Sequence, residues 1–477
     1  LSRGLGDVYK RQNYIYLVLC TLTATLFLGS CQLGKHYTRP KLNLPETLDS
    51  TSVDSTSLGD YSWEEMYTDT TLQTLIRKTL TYNKDMLIAA ARVKELAAMK
   101  RIDYANMFPA VGVKAYGEKE GENYGGDHYK SSNEFDLKIG ATWELDLWGK
   151  LRWNRDKSLA EFMGSIENQR ALKMTLIAQV AQAYFELVAL DNELSIVRKT
   201  VDARRESLHL ARIRYEGGLT SETAFRQAQV ELARTATLVP DLERKIALKE
   251  NEIAFLSGDY PHHIQRSILP EEVMFTNSLP VGLPSTLLER RPDVRQAEQA
   301  LIAANASVGA AFTNLFPTIS LTASYGAESA ELKDLLKSPY HLLSVNILQP
   351  IFAMGKNRAM LKAKKAACEQ AAYAYEKAVL NAFKDAYNAI VEFNKIKEVY
   401  ETRLRLEQAS KSALDLAQLQ YINGVIGYMD LLDAQRGYLD AQISLSNAIR
   451  DKQITMINLY KALGGGWKES NTSQQPM

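Results

Sequence analysis

Met107-Phe108-Pro109-Ala110-Val111 returns further along the chain as Leu315-Phe316-Pro317-Thr318-Ile319. Trp148-Gly149-Lys150 is answered by Met354-Gly355-Lys356, and LARIRYEGG ending at Gly218 by LAQLQYING ending at Gly424. Leu-Ser-Gly ending at Gly258 is answered by Leu-Gly-Gly ending at Gly465. Gly218 and Gly424 stand 206 residues apart and the other matches keep nearly that offset, so chance is a poor explanation. An internal repeat constrains a fold more than any local pattern, because whatever one half builds the other must build again. The chain reads as two copies of one unit.

Each unit should hold a helix, a strand pair and two long helices. From Leu151 to Glu216 there is one Gly and no Pro, and from Asn357 to Asn423 there is neither. Ala, Leu, Glu, Gln, Lys and Arg dominate both stretches, which predicts helices of about 65 residues, on the order of 100 Å long. Leu172, Leu176, Val180, Ala183, Leu187, Leu190, Leu194, Val197 and Val201 recur at spacings of three and four. Val379, Phe383, Ala386, Ile390, Phe393, Tyr400 and Leu404 keep the same stripe in the second copy, with Lys397 interrupting it. Such heptads predict coiled-coil packing. Shorter return helices are expected at Thr220–Leu256 and Gly427–Leu463, and helices preceding the strands at Lys84–Met107 and Pro292–Leu315. Laid end to end in pairs, the short helices nearly match the long ones, which predicts a closed helical wall. Leu269–Arg291 and Gly464–Trp467 would lie around its waist.

The strands alternate. In EFDLKIGATWELDLW, Phe135, Leu137, Ile139, Ala141, Trp143, Leu145 and Leu147 fall on one face, and Asp136, Lys138, Thr142, Glu144 and Asp146 on the other. A tilted strand crosses a bilayer in roughly nine to eleven residues, and this run is long enough. Val111, Val113 and Ala115, then Ile319, Leu321, Ala323 and Tyr325, then Leu343, Val345 and Ile347, keep the same alternation. The total is four strands in two hairpins, whose tips are GENYGGDHYKSS and SAELKDLLKSP. A membrane barrel needs about eight strands or more and no open edge, so four strands require partner chains. The apolar face is expected against lipid and the charged face against water.

Composition narrows the alternatives. The 477 residues carry 57 basic and 56 acidic side chains, a formal charge of +1, which gives no electrostatic case for a nucleic-acid partner. No stretch is apolar for the length of a transmembrane helix. Residues 14–31, YIYLVLCTLTATLFLGSC, follow Lys10 and Arg11 and read as a secretory signal closing on Leu28-Gly29-Ser30-Cys31. The small residues before Cys31 resemble the lipobox of bacterial lipoproteins, and cleavage there would leave a lipidated Cys31. An ordinary signal peptide with an incidental cysteine is the plainer alternative. Gln32, in place of Asp, resembles lipoproteins sent to the outer membrane. The opening LSRGLGDVYKRQ begins without Met, reads as an assembly artefact and is set aside. Of Cys20, Cys31 and Cys368, only Cys368 would remain a free thiol, so no intrachain disulfide is expected. His262 and His263 lack further ligands, and no Walker, Rossmann or GxSxG pattern occurs, so neither a metal site, a cofactor beyond the lipid, nor an enzyme is expected.

The order of lipobox, helix, hairpin and coiled coil, repeated once, resembles the TolC-like outer-membrane factor family in its lipoprotein branch. The motifs are Tyr37-Thr38-Arg39-Pro40, LPVGLPSTLLERRPDVRQAE from Leu279, LFPTISLTASYG from Leu315, and Leu463-Gly464-Gly465-Gly466-Trp467. The resemblance covers essentially the whole mature chain. It implies a homotrimer, with a twelve-stranded outer-membrane barrel continuing into a periplasmic α-helical coiled-coil barrel. It further implies passive export of drugs, toxic compounds or metal ions for an inner-membrane RND-type pump joined through a periplasmic adaptor. Within it the chain divides into a signal at 1–30, a lipidated extended segment at 31–68, a first repeat at 69–258, an equatorial connection at 259–286, a second repeat at 287–465 and a tail at 466–477. An exit duct for type I protein secretion, or a lipid-anchored coiled-coil scaffold, are the alternative functions.

The long hairpins are expected to turn at Gly217-Gly218-Leu219-Thr220 and at Asn423-Gly424-Val425-Ile426, where glycine supplies the positive φ that ends a helix. By resemblance, adaptors dock at these tips, at Gly217, Gly218, Leu219, Gly424 and Val425. Asp430 and Asp433 match the acidic positions that narrow the family's periplasmic aperture, and Tyr421 its gating tyrosine. Three chains would set six carboxylates around one axis. Asp430 has a plainer role open to it, as an acid in the first turn of a helix. Ile426 stands where the family's best-known member has an arginine that braces the gate, and Ala224 where an aspartate is common in the first repeat, with Glu222 near, so the resemblance leaves that ion pair open here.

Overall fold

A computed structural model describes residues 32–45, 57–122, 125, 130–267, 284–352 and 354–467. Cys31 and the signal stretch lie outside the described residues. The helices are α1 Trp63–Met66, α2 Thr70–Tyr82, α3 Lys84–Ala105, α4 Lys150–Glu216, α5 Glu222–Leu256, α6 Pro284–Arg290, α7 Pro292–Thr313, α8 Lys356–Ile422 and α9 Tyr428–Ala462. The strands are β1 Ala110–Glu122, β2 Lys130–Leu145, β3 Thr318–Ser329 and β4 Pro339–Leu348. α4 and α8 each have 67 residues, α5 and α9 each 35, and α3 and α7 each 22. The expected helices therefore form within two residues of their anticipated ends. No helix among the described residues is long and apolar enough to cross a membrane.

The chain parts into two compact units. One holds the chain up to Lys41 with Arg92–Ile166 and Gln296–Glu376, and the other holds Leu42–Ala91, Glu167–Arg295 and Lys377 onward.

The first unit contains an antiparallel sheet in the order β1-β2-β3-β4, with Ile139 opposite Val113 on one side and Tyr325 on the other. Its burial is inverted relative to a soluble sheet: Val113 is 72% and Leu343 80% exposed, whereas Asp136 on the other face is 3% exposed. Asp136 pairs with Lys138 at 2.9 Å and Lys114 at 3.4 Å, and Lys138 also meets Glu328 at 2.6 Å and the Tyr340 ring at 3.9 Å. Carrying its charge inside and its aliphatic side chains outside is the pattern of a lipid-facing stave. The sheet leaves β1 and β4 as edges.

One expectation fails here. The alternating run ends at Leu145, and Asp146, Leu147 and Trp148 leave the strand. Asp146 accepts from the backbone N–H of Leu151 and Arg152 at 2.9 and 3.0 Å, satisfying donors that the first turn of α4 leaves without an intrahelical partner. Trp148 turns its Nε1–H to the Pro317 carbonyl at 2.7 Å and stacks on Phe316. Capping the helix and covering Phe316 outweigh two more alternating residues. Gly149, at φ +83°, makes the corner.

The N-terminal segment crosses this unit as a strap. Leu33 donates its N–H to the Trp148 carbonyl and accepts from Trp153 Nε1 at 2.8 Å. Tyr37 and Arg39 both reach Glu298 on α7, the guanidinium through two bonds at 2.7 and 2.6 Å. Burial raises the Tyr37 pKa above its ordinary range, and the Glu298 carboxylate adds to the rise. The Tyr37-Thr38-Arg39-Pro40 motif thus has a physical task, fastening the strap.

In the second unit the α4 stripe is buried as its spacing predicts, with Leu176, Val180, Leu187 and Val197 at 2% exposure or less. It packs with Leu72 and Ile76 of α2 and Ile457 and Tyr460 of α9, and further along with Leu242, Ile246 and Ile253 of α5. Asp69 caps α2 by accepting from Thr71 and Leu72 and also takes the Tyr184 hydroxyl at 2.6 Å. Trp467 meets α6, donating Nε1–H to the Arg290 carbonyl at 2.8 Å.

Candidate functional site

Both long hairpins end in the same turn. At the end of α4, Gly218 has φ +72° and donates to the Tyr215 carbonyl at 2.9 Å, while Leu219 donates to Arg214 at 2.8 Å. At the end of α8, Gly424 has φ +74° and donates to Tyr421 at 3.1 Å, and Val425 to Gln420 at 2.8 Å. This pair of bonds is the Schellman closure, which satisfies the last carbonyls of a helix and requires a left-handed residue that glycine adopts without strain. Gly217 donates to Ile213 just before the first turn. The residue after each closing glycine is apolar and projects outward, Leu219 at 74% and Val425 at 70% exposure. Burial would be the ordinary fate of such side chains, so each tip presents an uncovered apolar knob.

Behind the second tip, Tyr421 is 3% exposed and packs with Ala211, Ala228, Tyr428, Leu431 and Leu432. Its ring lies 5.8 Å from Tyr428, edge on, and under the Arg214 guanidinium at 4.7 Å. Arg214 also donates to the Tyr421 carbonyl at 2.9 Å, tying the end of α4 to the end of α8. Burial raises both tyrosine pKa values, that of Tyr428 to about 12. Tyr215, the counterpart of Tyr421 in the first hairpin, is 37% exposed and stacks on Phe225.

Asp430 and Asp433 are both exposed. Asp430 accepts from the Gly427 N–H at 3.0 Å, the first-turn role its position allowed. Asp433 comes within 3.6 Å of Arg436.

Arg436 belongs to a cluster that sequence reasoning missed. Glu231 on α5, 1% exposed, takes Arg204 of α4 at 2.7 Å, Arg234 of its own helix at 3.2 Å, and Arg436 of α9 in a very short contact. Arg204, itself 5% exposed, also donates to the Glu231 carbonyl at 2.9 Å. Hydrogen bonds from Arg436 and Arg204 hold the Glu231 carboxyl below its ordinary range against the opposing effect of burial. The signal was present: Ala224, Ala228, Glu231, Thr235 and Leu242 share one stripe, and a charge on a coiled-coil seam demands a partner. Through Glu231 and Arg436 this cluster braces the two hairpins by charge.

Comparison with known proteins decides the family. Outer membrane efflux protein sequences match residues 75–259 and again 283–465. The chain belongs to the outer membrane efflux protein family. The resemblance to TolC-like outer-membrane factors is thereby borne out, and with it an efflux channel of the outer membrane in place of an enzyme. The cation efflux system protein CusC of Escherichia coli O6:H1 is 28% identical over 457 residues, covering 94% of this chain and 99% of that protein. The probable efflux pump outer membrane protein TtgC of Pseudomonas putida is 30% identical over 467 residues, covering 94% and 96%. The open state of the Neisseria gonorrhoeae MtrE outer membrane channel superimposes with a TM-score of 0.82 at 32% identity, over 92% of this chain and 99% of that one.

Proposed function

We propose that this outer membrane efflux protein works as one third of a passive exit duct. Three copies of the four-stranded sheet would close a twelve-stranded barrel, each β1 edge pairing with the β4 edge of a neighbour. The inverted burial of the sheet is the observation that carries this reading: in water it would expose a continuous aliphatic face and two unpaired edges. Cys31 carries the lipid, one residue before the strap docks beside the Trp148-Gly149 corner. The chain then divides as the repeat suggests, with the extended segment at 31–68, repeats at 69–258 and 287–465, the connection at 259–286 and the tail at 466–477.

The Gly217-Gly218-Leu219 and Gly424-Val425 tips dock the periplasmic adaptor, whose complement to Leu219 and Val425 is apolar. An inner-membrane pump of the RND type supplies the energy, and the cargo is small: drugs, toxic compounds or metal ions. CusC is named for cations and TtgC for an efflux pump, which supports small molecules over protein as cargo. Asp430 and Asp433 from three chains form the periplasmic constriction. Tyr421, packed behind it, holds the ends of α4 and α8 together.

Planar-bilayer conductance tests this. The wild-type protein should give small, cation-selective currents, and Asp430→Ala/Asp433→Ala should enlarge them severalfold while reducing the selectivity. Unchanged currents in the double variant would move the constriction elsewhere, and absence of any channel would remove the barrel.

A further inference from the structure

The two hairpins of the sheet repeat in space as they do in sequence. Phe108 and Phe316 stand 208 residues apart, and Gly149 and Gly355 stand 206 apart, with φ +83° and +76°. β1 meets β2 with Ala110 opposite Thr142. Carried forward by those two offsets, the pair becomes Thr318 opposite Leu348, which is the register in which β3 meets β4. Trp143 donates Nε1–H to the Met107 carbonyl at 3.0 Å, and its counterpart Gln349 donates Nε2–H to the counterpart acceptor, the Leu315 carbonyl, at 3.2 Å. Each hairpin is built alike, down to a side-chain hydrogen bond.

The seam between the hairpins is different, because the chain makes it once. β2 meets β3 with Leu145 opposite Ile319 and Ala141 opposite Ala323. Beside that seam Trp148 stacks on Phe316, ring centroids 5.2 Å apart, and Trp153 of α4 lies so close to Gly309 of α7 that a Cβ there would overlap the indole. The counterparts of these residues lie at the two edges of the sheet. Met354 and Phe108 stand for Trp148 and Phe316 and are 85% and 54% exposed. Ala359 and Arg101 stand for Trp153 and Gly309, with the large and small side chains exchanged between the helices, and both are exposed. Ile351 and Phe352, almost wholly exposed, continue the patch from the β4 edge. One chain therefore carries both halves of a second seam on opposite edges, where another copy can join them.

We propose that β4 of one copy pairs with β1 of the next in the register that β2 and β3 use, with Ile347 opposite Ala115, Val345 opposite Gly117, and Met354 seated on Phe108 of the next copy. The proposal rests on the reading of the sheet as one stave of a shared barrel and adds which residues meet. This register keeps the aliphatic side chains of both strands on the outer face, whereas a slip of one residue would turn one set toward the bore. It also extends β4 beyond Leu348, setting Ile351 opposite Val111. Because β4 meets β1 and not another β4, the contact runs head to tail, and repeated around an axis it closes a ring.

Oxidative cross-linking of the full-length protein in isolated outer membranes tests the register. Three double variants, each also carrying Cys368→Ala, combine Ile347→Cys with Val113→Cys, Ala115→Cys or Gly117→Cys. Directly opposed Cβ atoms lie about 4.5–5.5 Å apart and diagonal ones about 7–8 Å, and a disulfide needs about 3.5–4.5 Å. The Ala115→Cys pair should therefore form the inter-chain disulfide about tenfold faster than either of the others. Faster linkage through Val113→Cys or Gly117→Cys overturns the register. No linkage in any of the three, in protein that native mass spectrometry shows to be trimeric, overturns the pairing of β4 with β1, and a monomer removes the shared barrel beneath it. Met354→Trp checks the corner, since it offers the Pro109 carbonyl of the next copy the donor that Trp148 gives Pro317. It should raise the temperature at which the oligomer dissociates in dodecyl sulfate by several degrees, and an unchanged or lower temperature overturns the seating of Met354 on Phe108.

Discussion

A single carboxylate, Glu231, shows how residue chemistry acts on this fold. Three arginines converge on it, one of them buried. Removing one member of a buried ion cluster costs more than the cluster contributes, because the remaining charge stays out of water. Glu231→Gln should therefore lower stability at neutral pH by about 3 kcal/mol, read from the thermal midpoint by far-UV circular dichroism. Its folded pKa is depressed, so its contribution is fully present above the unfolded carboxyl value of about 4.3. It is lost as pH falls through the lower folded value. The wild-type midpoint should drop on acidification through that range, and Glu231→Gln should show a shallower drop. Equal slopes would mean that another carboxylate governs the acid limb. Asp430 makes a contrasting case: its bond to the Gly427 N–H gives it a structural task beside its proposed part in a constriction, and Asp433 has another beside Arg436, so each single variant tests two things.

At the scale of elements, glycine marks the ends, but for two different reasons. Gly424 ends α8 at φ +74°, and a Cβ there would meet nothing within 4 Å. Gly258 follows α5 at φ +75°, and a Cβ there would press on Tyr82, 3.2 Å from its Cβ and closer still to its carbonyl. Gly424→Ala should then cost only the left-handed backbone penalty, about 1 kcal/mol. Gly258→Ala adds overpacking and should cost roughly 2 to 4 kcal/mol in all. Thermal midpoints of the two variants, measured side by side, check the order, and a Gly258→Ala midpoint above that of Gly424→Ala would contradict it. The Schellman closures were legible in the sequence because glycine after a long helical run has few other uses. The end of β2 was not: alternation continues through Asp146 and Leu147, and only the capping of α4 explains why the strand stops.

For the whole molecule, the sheet is the ground of the proposed trimer. Its strands have 13, 16, 12 and 10 residues, long enough to cross a bilayer, yet their order leaves two edges. Lipid offers no hydrogen bond to an edge, and the proposed trimer would pair these edges between chains. Native mass spectrometry from detergent should give three times the mass of the processed, lipidated chain, with no monomer until the barrel is unfolded. A folded monomer under those conditions would contradict the shared barrel. On the proposed architecture, a conduit would contribute a bore, a constriction and docking tips, and cargo choice would rest largely with the pump.

What the sequence determined by itself was periodic. Spacings of three and four decided helices, spacing of two decided strands, and the reversal of apolar and charged faces decided the solvent, because each is a property of neighbours along the chain. Helix lengths and tip glycines came with them. What only the tertiary structure decided were pairings between distant residues. Glu231 finds Arg204 across 27 positions and Arg436 across 205, and Arg39 finds Glu298 across 259. The same holds for Tyr421, whose place beneath Arg214 depends on how two helix ends meet. Periodicity states which face of a helix is buried but leaves open the axial register in which two helices pack. A shift of one turn, about 5.4 Å, would exchange every such partner.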